Sequence, residues 1–312
     1  MLFVDFPDSP GSVEPRSIYD AQVPRLVDWY RTVSYGRLRI EVDPLARWLR
    51  LPRTLSEYTD GRFEGAVNAA VAAADPAFDF SSFHALYVVP SMPSLASTVI
   101  DDVPIRVDGA ELHAWAWLAT GSLERLPFVA THETGHLLGL PDLYNERNPS
   151  SQHGWDVMTA APSGGGMFAW HRWKLGWLDA GQVVCIARKG AVDVTLSPLE
   201  RSGNRKVIIS RVRRKLVVVE VRQRLAEDAS ICRTGVLVYQ VDLVAGAPEN
   251  AGSRRQPVQL HSAQRDDRAQ WGRCGREWRA PYTRGTLSAW GHRIQVLKRL
   301  PDGSYRIRFT RR

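Results

Sequence analysis

Two histidines four residues apart, with a glutamate beside the first, form the segment with the most definite chemistry. The residues are His132, Glu133 and His136. On a helix, positions i and i+4 lie on one face about a turn apart, so both imidazoles can point at one metal ion. Zinc binds histidine nitrogen at about 2.0–2.1 Å, which this spacing allows without distortion. The pattern therefore predicts a zinc site with Glu133 as general base for a zinc-activated water. The alternative is a surface helix that carries two histidines and a glutamate by chance.

The residues after this segment supply a candidate third ligand. Gly139 can end the helix through a positive φ, and Pro141 follows shortly after it. The chain would then turn back and bring Asp142 towards the metal. His132, His136 and Asp142 are thus the predicted zinc ligands, in an extended zincin pattern with aspartate as the third member.

A second signal is the methionine in the run Trp155-Asp156-Val157-Met158. A methionine in a tight turn after the zinc helix is typical of the metzincin Met-turn, a hydrophobic floor beneath the histidine ligands. Taken alone, Met158 would be interpreted as an ordinary core methionine. Its place after the histidine motif favours the Met-turn.

Together these segments resemble the M6 family of metallopeptidases, the immune inhibitor A type. The resemblance is carried by residues 132–144 and 155–158, with weaker similarity at 4–8, 34–38, 174–177, 219–223 and 235–239. It implies a zinc endopeptidase with His132, His136 and Asp142 as ligands and Glu133 as base. Family members are typically secreted bacterial proteases, so the resemblance implies an extracellular protein. The N-terminal residues MLFVDFPDSP themselves do not predict a signal peptide.

Other candidate site residues are weaker. Ala160 stands where some metzincins have a tyrosine that stabilises the oxyanion, two residues after the methionine. By proximity in sequence, the candidate oxyanion donors are Tyr144, His153 and His171. For both histidines the alternative is a surface or hydrogen-bonded side chain. A calcium site formed by Asp101, Asp102 and Asp108 would fit secreted relatives, but the preferred interpretation of these residues is a solvated acidic loop.

The composition bounds the class of protein. Of 312 residues, 44% are apolar and 24% are charged, which excludes a wholly disordered chain and a collagen-like fibre. No apolar run approaches the roughly 18 residues of a spanning helix. Three cysteines are too few for a disulfide scaffold. Cys232 and Cys274 could pair and leave Cys185 over, or all three could be thiols.

Charge is distributed unevenly along the chain. Residues 1–199 hold 16 Lys/Arg and 23 Asp/Glu, whereas residues 200–312 hold 25 Lys/Arg and 10 Asp/Glu. This division predicts two units with different surfaces. The cations of the second part are dispersed among strand-like runs without a nucleic-acid motif, so no specific nucleic-acid partner is expected. The expected partners are protein or peptide substrates, and the expected state is a monomer.

The surrounding elements predict an α+β protein. Helices are predicted at 18–34, starting near Pro24, and at 63–74 and 126–138. Strands are predicted at 2–6, 37–42, 85–89 and 111–119. The last of these could be a substrate-pairing edge strand or an ordinary strand of the sheet. After residue 182 the predicted elements are strands, at 192–196, 206–209, 216–221, 235–241, 292–297 and 305–309. We therefore expect a zincin-like catalytic domain at 1–180, built on a twisted mixed sheet, and a β-rich, sandwich-like domain at 181–312.

The predicted function is zinc-dependent hydrolysis of peptide bonds in proteins. Two alternatives remain: an inactive zincin-fold protein that acts in binding or adhesion, and a zinc hydrolase of a non-peptide amide.

Overall fold

The chain contains two compact units. The computed structural model describes residues 1–58, 63–91, 98–100, 103–119, 126–143, 155–159, 165–231, 233–244, 257–261 and 282–312. Backbone contacts assign Met1–Arg31 and Leu38–Leu140 to the first unit, and Thr32–Arg37 and Pro141–Arg312 to the second. Units defined by backbone contacts need not coincide with a catalytic domain. The predicted end of that domain at residue 180 therefore stays a prediction.

Helices are interspersed among strands in the first part of the described chain, and strands predominate in the rest. The helices are α1 (Pro15–Val33), α2 (Glu64–Ala74), α3 (Leu126–Leu137) and α4 (Ala169–Lys174). The strands are β1 (Leu2–Asp5), β2 (Leu45–Arg50), β3 (Ala85–Pro90), β4 (Thr98–Ile100), β5 (Ile105–Val107), β6 (Ala110–Leu112), β7 (Ala114–Trp117), β8 (Val183–Cys185), β9 (Gly190–Leu196), β10 (Val207–Val212), β11 (Lys215–Arg222), β12 (Gly235–Asp242), β13 (Val258–Leu260), β14 (Gly285–Ala289), β15 (His292–Arg299) and β16 (Tyr305–Arg311). This mixed content confirms the α+β class.

The first unit is built on a five-stranded sheet in the order β2-β1-β3-β7-β4. Four strands are parallel, and β4 runs antiparallel to β7 at one edge. The helix α2 contributes alanines to the core beneath this sheet, where Ala66, Ala70 and Ala74 are fully buried. Small side chains let a helix approach a sheet closely.

Three predictions for this unit were wrong in detail. Residues 37–42 form no strand, although half-buried and exposed residues do alternate there, and β2 instead pairs with β1. The helix α1 begins at Pro15 and continues through Pro24. Because Pro24 lies on the exposed face, the carbonyl that loses its helical partner can be hydrated. Residues 111–119 contain parts of two strands, and β7 is internal to the sheet, so the edge is β4.

The second unit contains two sheets, in the orders β13-β12-β11-β10-β8 and β14-β15-β16-β9. Both sheets contribute to one hydrophobic core, for example through Val219 and Val238 from the first sheet and Ile307 and Phe309 from the second. The described elements after residue 182 are mostly strands, as the sequence predicted, and a sandwich-like domain at 181–312 stays a prediction. The strands β8, β13 and β14 were not predicted, since they are only three to five residues long.

No helix in the described ranges combines the length and the apolar character that crossing a bilayer requires.

Candidate metal centre

The helix α3 is held by two buried tyrosines of the first unit. The hydroxyl of Tyr30 donates to the Thr131 carbonyl at 2.7 Å, and the hydroxyls of Tyr87 and Thr134 lie 2.6 Å apart. Burial raises the pKa of Tyr87 to about 12, so this phenol stays neutral at any physiological pH. The helix therefore presents its histidines from a backbone that is fixed at two successive turns.

The two predicted histidine ligands lie side by side on α3. The ring centroids of His132 and His136 are 4.9 Å apart, with the ring planes nearly perpendicular. The Nδ1 atom of His136 lies 2.8 Å from the Leu140 carbonyl oxygen. A carbonyl only accepts, so Nδ1 carries the proton and Nε2 offers its lone pair to a metal ion.

A tight turn after α3 reverses the chain. Gly139 has a φ of +79°. Its N–H donates to the His136 carbonyl at 2.8 Å, and the N–H of Leu140 donates to the Gly135 carbonyl at 3.0 Å. These two bonds form a Schellman motif, which satisfies helix-end carbonyls and needs a left-handed residue at its second-last position, here Gly139. Gly139 is thus the helix-ending residue that the sequence predicted, and α3 stops one residue earlier than expected.

The turn brings Asp142 to the two histidines. His132, His136 and Asp142 each offer one ligand atom, and these atoms all lie within 4.8 Å of one another. Within the described ranges this is the one group of three or more His, Cys, Asp or Glu side chains that could hold a metal ion. Two imidazoles and one carboxylate are a donor set that suits zinc. The structure therefore brings together the three residues that the sequence predicted as ligands, while metal binding by them and zinc as the metal stay predictions.

Glu133 lies next to the first histidine and is only 7% exposed. Successive residues of a helix are rotated by about 100°, so Glu133 projects beside the histidine face and not from it. This position suits a carboxylate that serves the site without being one of its ligands. Its role as general base stays a prediction.

The predicted Met-turn is a turn whose side chains are buried. Trp155 and Met158 are inaccessible to solvent, and the Asp156 carboxylate accepts the Met158 N–H at 2.8 Å. The Met158 carbonyl in turn accepts the N–H of Leu143 at 2.8 Å. The turn is therefore connected by one hydrogen bond to the residue that follows Asp142.

His171 is anchored to the same turn. It is 1% exposed, and its Nδ1 lies 2.9 Å from Asp156 Oδ2, which also accepts the Phe168 N–H at 2.7 Å. Such a contact is typical of a side chain that orients its neighbours. Whether His171 is an oxyanion donor stays a prediction.

Several other predicted residues lie outside the described ranges. These are Tyr144, His153, Asp101, Asp102, Cys232 and Cys274. Of the predicted calcium group, Asp108 is described, and it accepts the Phe80 N–H at 2.7 Å. Cys185 carries an exposed thiol.

A group of buried charges near the turn was not singled out from the sequence. Glu220, Arg222 and Asp228 are fully buried. A signal existed: Glu220 and Arg222 have opposite charges, stand two residues apart in a valine-rich run, and therefore share one face of a strand.

Comparison with known proteins adds no family assignment. A scan of protein-family models finds none that matches the chain, and a search of curated proteins finds no match. The functional assignment therefore depends on the geometry of the site.

Proposed function

We propose that this protein is a zinc-dependent endopeptidase. The observation that carries the proposal is the convergence of His132, His136 and Asp142, with Glu133 on the same helix. The resemblance to the M6 family supports the same assignment, and with it a zincin-type fold for the catalytic part and an extracellular location. The chain's own donor set fits the metal, since zinc binds histidine nitrogen and aspartate oxygen readily.

The residues of the site have distinct tasks in the proposed reaction. A zinc ion bound there would supply Lewis acidity, which would polarise the scissile carbonyl and lower the pKa of water. His132, His136 and Asp142 would hold the ion, and the Leu140 carbonyl orients the His136 ring through Nδ1. Glu133 takes the proton from the attacking water and delivers it to the leaving amine nitrogen.

The sheet of the first unit offers a place for an extended peptide. The strand β4 is at the sheet edge beside β7 in the described part of the chain, and it contacts α3. An extended substrate can add to such an edge by main-chain hydrogen bonds. A peptide bound there would run beside the helix that carries both histidines, which supports a peptide as the substrate.

The test combines metal analysis with a point substitution. The purified chain should bind one zinc ion and cleave casein, and a chelator should abolish cleavage. Glu133→Gln should keep zinc but lose about 10²–10⁴-fold in cleavage rate, the usual contribution of a general base. Glu41→Gln is the matched control, because Glu41 is exposed and forms a surface ion pair with Arg39.

The outcomes separate the alternatives. A zinc-loaded protein that cleaves no member of a broad peptide library would favour the binding or adhesion function. Cleavage of small amides without cleavage of peptides would favour a non-peptide hydrolase. Undiminished cleavage by Glu133→Gln would contradict the assigned base.

A further inference from the structure

We infer that a buried ionic network in the second unit positions the third metal ligand. The network consists of Arg222, Glu220 and Asp228 and is called the Arg222 network below. It acts on Asp142 through the backbone of the turn that carries Met158. This inference rests on the metal site of the proposed function and names residues that hold it in shape.

The network is a strongly bonded cluster of charges. The Arg222 guanidinium donates to Asp228 Oδ2 at 2.6 Å and to Glu220 Oε1 at 2.9 Å. Burial alone would raise the pKa of the Asp228 carboxyl, but the facing Arg222 lowers it below its usual range. Burial alone would likewise lower the pKa of Arg222, and the carboxylates Asp228 and Glu220 raise it instead. Both partners therefore stay charged.

Stability alone is a poor explanation for such a cluster. Taking charges out of water carries a large desolvation cost, and apolar residues of the same volume often stabilise a core equally well. What a buried ion network does provide is a fixed set of directional hydrogen bonds. The atoms that receive these bonds therefore indicate its role.

All three members bond to the backbone of one stretch of chain. Arg222 Nη1 donates to the Trp155 carbonyl at 3.1 Å. Asp228 Oδ1 accepts the Gly166 N–H at 2.8 Å, and Glu220 Oε2 accepts the Ala169 N–H at 2.8 Å. The network thus holds the start of the Met158 turn and the segment that returns after it.

Two further hydrogen bonds link this stretch to the ligand. The Val157 N–H donates to the Gly166 carbonyl at 2.9 Å, so Gly166 connects the network to the turn. The Met158 carbonyl accepts the Leu143 N–H, and Leu143 is covalently joined to Asp142. A displacement of Gly166 or Trp155 would therefore move the backbone that presents the ligand.

Gly166 fits against the network without spare room. A Cβ placed there would lie 2.8 Å from Glu227 Cγ and 3.0 Å from Arg222 Nη2. Both side chains are buried, so they cannot swing into solvent to make room. Gly166→Ala therefore pushes the turn away from the network without changing any charge.

The experiment measures the ligand's position in two ways. One is zinc affinity by chelator competition, together with the visible absorption spectrum of the cobalt(II)-substituted protein, which reports ligand geometry. The other is hydrogen exchange of the Leu143 amide in the metal-free protein, well below the melting temperature.

The variants are Asp228→Asn and Gly166→Ala. The controls are Phe309→Leu, a fully buried core residue of β16, and Gly181→Ala, where a Cβ meets nothing within 4 Å.

We expect both network variants to bind zinc about 10–100-fold more weakly, as is typical for residues that orient metal ligands. Their cobalt spectra should change, and their Leu143 amide should exchange faster. Phe309→Leu should lower the melting temperature without these effects. The inference is overturned if folded Gly166→Ala shows zinc affinity, spectrum and Leu143 exchange like those of Gly181→Ala.

The design separates this inference from the proposed function. If Asp228→Asn does not fold, Gly166→Ala and Tyr239→Phe decide, since the Tyr239 hydroxyl donates to Glu220 Oε2 at 2.7 Å. If the wild-type chain binds zinc but cleaves no peptide, the enzymatic proposal fails and the affinity test still applies. If it binds no zinc, the Leu143 exchange rate alone decides whether the network controls that backbone.

Discussion

At the scale of single residues, the third ligand makes the most specific prediction. Asp142→Ala removes the one carboxylate of the triad, so zinc affinity should fall by more than the roughly 10–100-fold typical of outer residues. Asp142→His should bind more tightly than Asp142→Ala, because imidazole is also a zinc ligand. Chelator competition measures the zinc affinities of both variants. Equal affinities of Asp142→Ala and the wild type would exclude Asp142 from the site.

A second residue-scale prediction concerns Tyr87, one of the two tyrosines that hold α3. Tyr87→Phe removes the hydroxyl that bonds Thr134, whose own bond to the Ala130 carbonyl at 2.6 Å remains. We expect a loss of about 1 kcal/mol in the free energy of unfolding. Tyr19→Phe is the comparison, because Tyr19 is only half-buried and donates to the Val42 carbonyl, which water can reach more easily. Urea unfolding of both variants checks the difference, and a larger loss for Tyr19→Phe would contradict it.

At the scale of elements, the end of α3 depends on one backbone conformation. Gly139→Ala adds a Cβ that meets no neighbouring atom, yet its φ of +79° is strained for an L residue. The expected cost is about 1–2 kcal/mol, the penalty for a left-handed residue, together with weaker zinc binding. Gly181→Ala adds the same methyl group in open space without a positive φ. Thermal unfolding of the two variants should therefore differ, and equal melting temperatures would refute the strain argument.

Sequence predicted those elements whose signals are local. The helix α3 and its turn follow from residues 126–141, and β11 and β12 from valine-rich runs. Residues 37–42 were misassigned because alternation reports burial, while a strand also needs a partner. The start of α1 was wrongly placed near Pro24, because the sequence alone does not show that this proline lies on the exposed face of the helix.

The candidate site likewise has one part that local sequence signals predict and one part that they do not. His132, His136 and Asp142 lie within eleven consecutive residues, so helix geometry and one glycine were enough to predict their convergence. The bonds from Arg222 to Trp155 and from Asp228 to Gly166 join residues more than sixty positions apart. Nothing local specifies such pairings, and charged residues are usually solvated.

At the scale of the whole molecule, a buried lysine predicts how stability depends on pH. Lys206 is fully buried, with its ammonium group bonded to Ser197 Oγ and the Pro198 carbonyl. Burial lowers the pKa of Lys206 to about 8, against 10.5 in the unfolded chain. Between these values the unfolded state binds more protons, so the contribution of Lys206 to stability rises with pH.

The comparison uses Lys206→Met, which does not titrate. The melting temperature of the wild type minus that of Lys206→Met should increase as the pH rises from 7 to 10. Calorimetry at intervals of one pH unit measures this difference in melting temperature. A constant or decreasing difference would show that Lys206 is not deprotonated in the native state at pH 10.

The pairing of β9 with β16 has a consequence for biosynthesis. Gly190–Leu196 pairs with Tyr305–Arg311, and β10 to β15 lie between them in the chain. While the ribosome is still adding those strands, β9 has no permanent neighbour on the β16 side, and Val194 and Leu196 lack the cover they have in the native core. Contacts of such long sequence separation form slowly. Nascent chains of this protein should therefore depend on chaperones until β16 has emerged.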